Sequence, residues 1–363
     1  MKKVLVAVGT RPEAVKLCPV IAALREREIP TVVCSTGQHG QLLADALKDY
    51  RITPDIALEI HRNDDSLSTL TAALLSSVKD AIRRTAPDCI AVQGDTATAF
   101  AAALAGFYEG IPVAHVEAGL RTYRQRSPFP EEFHRRAIAH LAAWHFAPTA
   151  TAKRNLIREG IREETVYQVG NTVIDALRYS LAQPDTPEWD LPPRLIPILF
   201  TAHRRESFGE PMRELFRALL RLLELHPRLF AFCPLHPNPQ VRREAEILRG
   251  HDRVRLIDPP GPIRFHKLLA SCRMVLTDSG GIQEEVTSLG VPTLVMRFST
   301  ERTEGIRAGC LRLVGTHEEG IVNAANELLA ADSPLYAAMS RPSDVFGDGH
   351  AAGRIAAILA GQR

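Results

Sequence analysis

The stretch Met274-Val-Leu-Thr-Asp-Ser-Gly-Gly-Ile-Gln-Glu-Glu285 decides the fold: an apolar strand runs into a small-residue turn and then into the opening of a helix. At such a turn the amides of Ser279, Gly280 and Gly281 have no intrahelical partners, and the positive end of the helix dipole points the same way. A phosphate or pyrophosphate is the guest that suits it, and glycine lets the main chain approach closely. Glu285 lies too far into the helix to cap it, yet it can reach ribose hydroxyls as an acceptor. An ordinary βα turn with a polar helix start has the same letters, so the rest of the chain must choose.

Outward from this turn, short apolar runs alternate with amphipathic segments. Lys3–Val8, Thr31–Ser35, Cys89–Gln93, Pro112–Val116 and Trp144–Ala147 read as strands, with helices over Ala14–Glu26, Gln41–Lys48, Ser68–Thr85, Ala97–Glu109 and Glu131–Ala142. A Pro-rich stretch, Pro184 to Pro197, breaks the rhythm. It then restarts with strands at Ile198–Thr201, Leu229–Pro234, Val254–Ile257, Met274–Thr277 and Thr293–Met296. Helices fall at Pro211–Glu224, Phe265–Ser271, Gly281–Leu289 and Glu318–Ala330. Near-continuous apolar strands between helices mean parallel sheets covered on both faces. The expectation is an α/β chain of two doubly wound domains facing across a cleft. Residues 1–170 form the first and 171–349 the second, with a last apolar helix near 350–363 packing back on the first.

Composition excludes several classes. The chain has 363 residues, 45% of them hydrophobic and 24% charged, as in an ordinary globular protein. A net charge of +2, with no basic run interleaved with aromatics, argues against a nucleic-acid partner. Six scattered cysteines without a CxxC read as buried thiols of a reducing compartment. The apolar run Val4–Val8 is too short for a signal-peptide core and no stretch is long enough to cross a membrane, so a soluble cytoplasmic protein is expected.

In open α/β sheets ligands bind beyond the carboxyl ends of the strands, where the ionisable residues of this chain gather. Gly9-Thr-Arg-Pro-Glu-Ala-Val-Lys16 puts Arg11 and Lys16 at the first βα turn, where two cations suit a phosphate unless they pair with Glu13. Asp95 follows the strand Cys89–Gln93 either as an N-cap of the helix beginning at Thr96 or Thr98, or as an acid/base group. Glu117, in His115-Val-Glu-Ala-Gly-Leu-Arg121, needs a partner for a carboxylate at a buried strand end. Ser127-Pro-Phe-Pro-Glu-Glu-Phe-His134 is a proline-bounded loop that brings Glu131 and Glu132 into a first helical turn. His203 and His236 close two strands of the second half, each open to a structural or a functional reading. His203 and His236 lack the short HxxxH or HxH partner of a zinc site, and no GxGxxG follows the first strand, which argues against a metal site and a dinucleotide oxidoreductase.

Taken together, these strings resemble the non-hydrolysing UDP-N-acetylglucosamine 2-epimerases, as do Gly170-Asn-Thr-Val-Ile-Asp175, His203-Arg-Arg-Glu206 and Thr300-Glu-Arg302. They occur in the family's order over essentially the whole chain. The resemblance implies two Rossmann-like domains of the GT-B type and a homodimer. It also implies reversible conversion of UDP-GlcNAc to UDP-ManNAc without metal or nicotinamide, by elimination of UDP to a 2-acetamidoglucal and re-addition on the inverted sugar. Carried over by position, Asp95, Glu117 and Glu131 are the acid/base set, with His203 near the pyrophosphate. Arg11, Lys16 and the Ser279–Gly281 amides would hold the phosphates, Glu285 and Arg302 the nucleotide sugar, and Phe265 the uracil.

The chain departs from the family pattern at His134, where asparagine is usual, at Thr303, where proline is usual, and in Asp344-Val-Phe-Gly-Asp-Gly349. Bacterial members often bind a second UDP-GlcNAc as activator through positions matching Gln38, Gln41, Arg204 and His236. Gly40 and Asp64 stand where cations are common, so weakened activation is expected. Three other readings share the fold: a glycosyltransferase, a hydrolysing epimerase releasing free ManNAc, and a non-catalytic UDP-sugar sensor. Three acids in the first domain favour epimerisation over transfer, which needs one base and an acceptor groove.

Overall fold

The computed structural model describes residues 3–38, 40–60, 64, 66–184, 189–204 and 207–361. Contacts divide the chain into two units, Met1–Arg178 with Gly347–Arg363, and Tyr179–Phe346.

The first unit runs β1 (Val4–Val8), α1 (Arg11–Glu26), β2 (Thr31–Ser35), α2 (Gln41–Asp49), β3 (Ile56–Ala57), α3 (Leu67–Thr85) and β4 (Cys89–Gln93). It continues with α4 (Ala97–Tyr108), β5 (Val113–Val116), α5 (Glu131–Leu141), β6 (Trp144–Ala147), α6 (Ala150–Arg158), β7 (Val166–Gln168) and α7 (Thr172–Ala182). The division between the units falls inside α7. All seven strands are parallel, in the order β3-β2-β1-β4-β5-β6-β7. Every residue of β1 and β4 is buried, because helices cover both faces. On one face Leu5, Ala7, Ile90 and Val92 pack with Val78 and Ile82 of α3 and Ala99, Ala102 and Ala103 of α4.

The second unit comprises β8 (Ile196–Thr201), α8 (Glu210–Leu225), β9 (Leu229–Pro234), α9 (Pro239–Glu244), β10 (Val254–Ile257), α10 (Pro262–Ser271) and β11 (Met274–Thr277). There follow α11 (Gly280–Leu289), β12 (Thr293–Val295), α12 (Thr303–Arg307), β13 (Leu311–Leu313), α13 (Glu318–Leu329) and α14 (Pro334–Met339). Its six parallel strands take the order β10-β9-β8-β11-β12-β13. Ile198 and Phe200 pack on Leu215, Phe216, Leu219 and Leu222 of α8, while Arg213, Arg217 and Arg221 on the outer side pair with glutamates. The chain then returns as α15 (Ala351–Leu359), which packs on α1; the Asp175 carboxyl accepts from the amides of Ala351 at 3.2 Å and Ala352 at 2.8 Å.

Two helices start earlier than their apolar pattern suggests. Thr10 caps α1, and Glu13 returns a hydrogen bond to the Thr10 amide at 2.7 Å, a capping box that starts the helix at Arg11 rather than Ala14. Likewise α10 begins at Pro262, since a proline fits the first turn. Strands β3, β7 and β13, at two or three residues each, lie outside the runs read as strands. All six cysteines are free and buried.

In both sheets the strand order reverses once, between β1 and β4 in the first and between β8 and β11 in the second. The two connections leaving such a pair depart to opposite sides, so a crevice opens at the carboxyl ends.

Candidate active site

At the first switch point, Gly9 follows β1 and Asp95 follows β4. A Cβ on Gly9 would lie 2.0 Å from Thr98 Oγ1 and 2.4 Å from Thr36 Oγ1, so only glycine lets the turn approach α4 this closely. Glu13 does not pair with Arg11 or Lys16. It is fully buried, and its carboxyl accepts from the amides of Gly9 and Thr10 and from Thr96 Oγ1 at 2.7 Å. Burial pushes its pKa up to about 7, against the pull of those hydrogen bonds.

Lys16 instead reaches Glu117, forming a short ion pair of two buried groups, and Asn171 Nδ2 donates to the same Glu117 oxygen at 3.0 Å. Glu117 has φ +62°, which turns its side chain off the end of β5. Asp95 leaves the neighbouring strand, where Gln93 lies opposite Val116, so the two acids depart from strand ends about 4.8 Å apart.

Asp95 is not the helix cap: Thr96 is, accepting from the Ala99 amide at 3.0 Å, which leaves the Asp95 carboxyl for Arg135 Nη2 at 2.5 Å. His115 is neutral, because burial pushes its pKa down to about 3, and its Nε2–H donates to the Gly94 carbonyl at 2.8 Å to fix the turn before Asp95. His134, the residue in place of asparagine, bonds through Nδ1 to the Asp95 carbonyl at 2.9 Å and stacks on Phe100 at 4.8 Å. Glu132 accepts from the amides of Thr122 and Tyr123, both at 3.0 Å, and so anchors the loop ahead of α5. Its neighbour Glu131 keeps a buried Oε2 with no hydrogen bond among the described residues, as an acid reserved for a ligand would.

At the second switch point, Asp278 follows β11 and is fully buried. Its Oδ2 accepts from the amides of His203 at 2.8 Å and Arg204 at 2.9 Å, while His203 Nδ1 lies 3.1 Å from Oδ1. Burial alone would raise its pKa; His203 and the two amides outweigh it and hold the carboxyl below its ordinary value. His203 is stacked on His236, ring centroids 5.4 Å apart. Helix α11 begins at Gly280, where a Cβ would meet Arg302 Nη1 at 3.0 Å and Arg204 Nη2 at 3.2 Å. Two guanidiniums thus converge on a helix N-terminus. Glu301 sits among Arg302, Arg297 and Arg204, whose charges overcome the effect of burial and hold its carboxyl well below the usual range. Glu284 takes Arg302 Nε at 3.0 Å and orients it. Phe265 is half-buried on α10 beside the core formed by Leu268 and Val286.

Residues 22–360 match the sequence profile described as UDP-N-acetylglucosamine 2-epimerase. A probable UDP-N-acetylglucosamine 2-epimerase of Ralstonia nicotianae is 44% identical over 98% of both chains. The Bacillus subtilis UDP-N-acetylglucosamine 2-epimerase is also 44% identical, over 97% of this chain and 93% of its own. This chain belongs to the UDP-N-acetylglucosamine 2-epimerase family. The crystal structure of the Neisseria meningitidis UDP-GlcNAc 2-epimerase bound to UDP-GlcNAc superposes with TM-score 0.93 at 40% identity, covering 99% of this chain and all of that one.

Within this epimerase-family chain the first switch point gathers Arg11, Lys16, Asp95 and Glu117, while Glu131 opens α5. The second gathers His203, Arg204, Ser279, Gly280 and Gly281, with Arg302 reaching in beside Gly280. Gln38 accepts from Thr98 Oγ1 at 2.9 Å and Gln41 donates to Asp45 at 2.7 Å in the first unit, whereas Arg204 and His236 belong to the second. Arg205 and Glu206 of the His203 string lie outside the described residues. Sequence reasoning missed Asn171 as a partner of Glu117, Arg135 as a partner of Asp95, and Asp278 as the anchor of the His203 loop. The available signal was a polar residue directly after a buried strand or opening a helix; the partner on another element left none.

Proposed function

We propose that this chain interconverts UDP-GlcNAc and UDP-ManNAc by elimination and re-addition of UDP. One observation carries the reading: Asp95 and Glu117 leave adjacent strand ends, each locked to a cation, while Glu131 keeps a buried oxygen with no hydrogen-bond partner among the described residues. Removing the weakly acidic C2 proton needs a base held within hydrogen-bond reach, and inversion needs a second acid to return a proton to the opposite face. The C1–O bond breaks as the C2–H proton leaves, giving 2-acetamidoglucal and UDP. Re-addition of UDP at C1, with protonation at C2 from the other side, completes the epimerisation. Every step is redox neutral. The departing UDP carries developing charge, for which the α11 amides, Arg204, Arg302 and His203 of the second unit are the stabilising groups. Glu117, Asp95 and Glu131 form the acid/base set. The likeness to an epimerase bound to UDP-GlcNAc supports the substrate.

Proton NMR of the enzyme with UDP-GlcNAc in D2O tests this. UDP-ManNAc bearing deuterium at C2 is the expected product. Free ManNAc with UDP would mean hydrolysis, and an unchanged spectrum at high enzyme concentration would overturn the assignment in favour of a transferase or sensor.

Activation by a second UDP-GlcNAc is weak in this reading. Gly40 offers no side chain, and the Asp64 carboxyl, which accepts from the Ser66 amide at 2.8 Å, adds a negative charge where a dianion would need a cation. The rate curve in UDP-GlcNAc is expected to be hyperbolic; a sigmoidal curve would overturn this part alone.

A further inference from the structure

Glu285 sits in the second turn of α11, about 7.5 Å along the axis from Gly280, roughly one ribose beyond a phosphate bound at the helix start. Its side chain is 9% exposed. Oε1 is engaged by His266 Nε2 at 3.3 Å, whereas Oε2 is buried and has no hydrogen-bond partner among the described residues. Leaving a buried acceptor unmade costs free energy comparable to a lost hydrogen bond, so the orphaned oxygen marks a place kept for a donor that arrives with a ligand.

His266 has a partner on each ring nitrogen. Nδ1 lies 2.8 Å from Ser180 Oγ, and both residues are essentially inaccessible, at 1% and 0%. With the Ser180 hydroxyl donating to Nδ1, the ring N–H lies on Nε2 and donates to Glu285. That tautomer engages one carboxyl oxygen and leaves the buried Oε2 for another donor. The order hydroxyl–imidazole–carboxyl serves no nucleophile here, because a fully buried Ser180 cannot meet a substrate.

We propose that His266, set by Ser180, is a positioning residue that aims Oε2 of Glu285 at a ribose hydroxyl of the bound nucleotide. The proposal rests on the nucleotide reading above and assigns the His266–Ser180 pair, from α10 and the end of α7, the task of holding the ribose acceptor in place.

Calorimetric titration with UDP, 2′-deoxy-UDP and 3′-deoxy-UDP tests it. The wild type is expected to prefer UDP over at least one deoxy analogue by about tenfold, the worth of one hydrogen bond to a carboxyl. His266→Phe fills the space without a donor; it should weaken UDP by about tenfold and leave the deoxy analogue unchanged, abolishing the discrimination. His266→Gln, which can still donate to Oε1, should restore part of it, and Ser180→Ala should lose part of it without emptying the site. Equal weakening of all three nucleotides by His266→Phe would make the role merely structural and overturn the proposal, as would discrimination that survives. A wild type that binds UDP without discriminating would sink the proposal and leave the nucleotide reading standing; no UDP binding at all would sink both.

Discussion

Glu117 carries several requirements at once. It is a buried carboxylate, it holds φ +62°, and its two named partners, Lys16 and Asn171, come from α1 and the start of α7. A left-handed conformation at a non-glycine residue costs on the order of 1–3 kcal/mol and persists only where the surroundings impose it, commonly at functional sites. Breaking one half of a buried ion pair removes the charge that neutralises the other half. Lys16→Met should therefore lower stability by about 3–5 kcal/mol in urea unfolding, and Lys16→Met with Glu117→Gln should recover most of that loss. Glu117→Gln alone should cut kcat by about 10²–10⁴ while leaving the circular dichroism spectrum intact. Glu13 gives a second prediction, with its sign set by a folded pKa near 7 against an ordinary 4.5. The folded state binds more protons than the unfolded one between those values, so the stability contributed by this group falls as pH rises from about 4.5 to about 7 and is flat above. Glu13→Gln should remove that slope, and its stability relative to wild type should rise by about 3 kcal/mol between pH 4.5 and 8. No shift of the difference with pH would mean that folding leaves the Glu13 carboxyl at its ordinary pKa. That Glu13 matters was hidden in the sequence: a glutamate two residues beyond an arginine in a helix start looks like a surface acid. Only the fold shows it turned onto the amides of Gly9 and Thr10.

Helix α11 shows how far an element can be read from its own letters. A strand, Asp-Ser-Gly-Gly and an amphipathic run announce its start to within a residue, and the amide-lined turn follows from local geometry alone. What the letters lacked was the pair of guanidiniums that close on Gly280, because Arg204 and Arg302 arrive from other loops. Gly280→Ala should displace both by a few tenths of an ångström and weaken UDP binding by about tenfold, with little change in the melting temperature. Undiminished affinity would place the phosphates elsewhere. The same contrast runs through the sheets. Five-residue strands such as β1, β2 and β4 are continuous apolar runs and were legible; β3 and β13 have two and three residues, too few for any period to register. Helix α6, Ala-Thr-Ala-Lys-Arg-Asn-Leu-Ile-Arg, buries only Ala152 and Leu156 and offers almost no apolar stripe.

At the scale of the whole molecule, each unit places its candidate site residues where its strand order reverses, and neither order is written in the sequence. Strand–helix alternation implies parallel sheets, but whether β4 joins β1 or β3 depends on how crossovers pack after collapse. The return of the chain into the first unit as α15 was foreseeable from the terminal apolar run, and the structure supplies what holds it. Ala351, Ala352, Ile355, Ala356 and Leu359 are buried, and the Asp175 carboxyl receives the first two amides. Burial raises the Asp175 pKa while those amides pull against it, so this cap is a buried polar contact whose loss is costly. Because α15 lies far along the chain from α1, on which it packs, its removal should injure one unit selectively. Ile355→Ala, at a site with no exposure, should cost about 2–5 kcal/mol. In calorimetry the loss should lower the transition of the unit containing β1–β7, whereas UDP should raise the transition of the unit containing α11. If Ile355→Ala lowers a single transition that UDP raises as a whole, the two units unfold as one cooperative block, and α15 supports both.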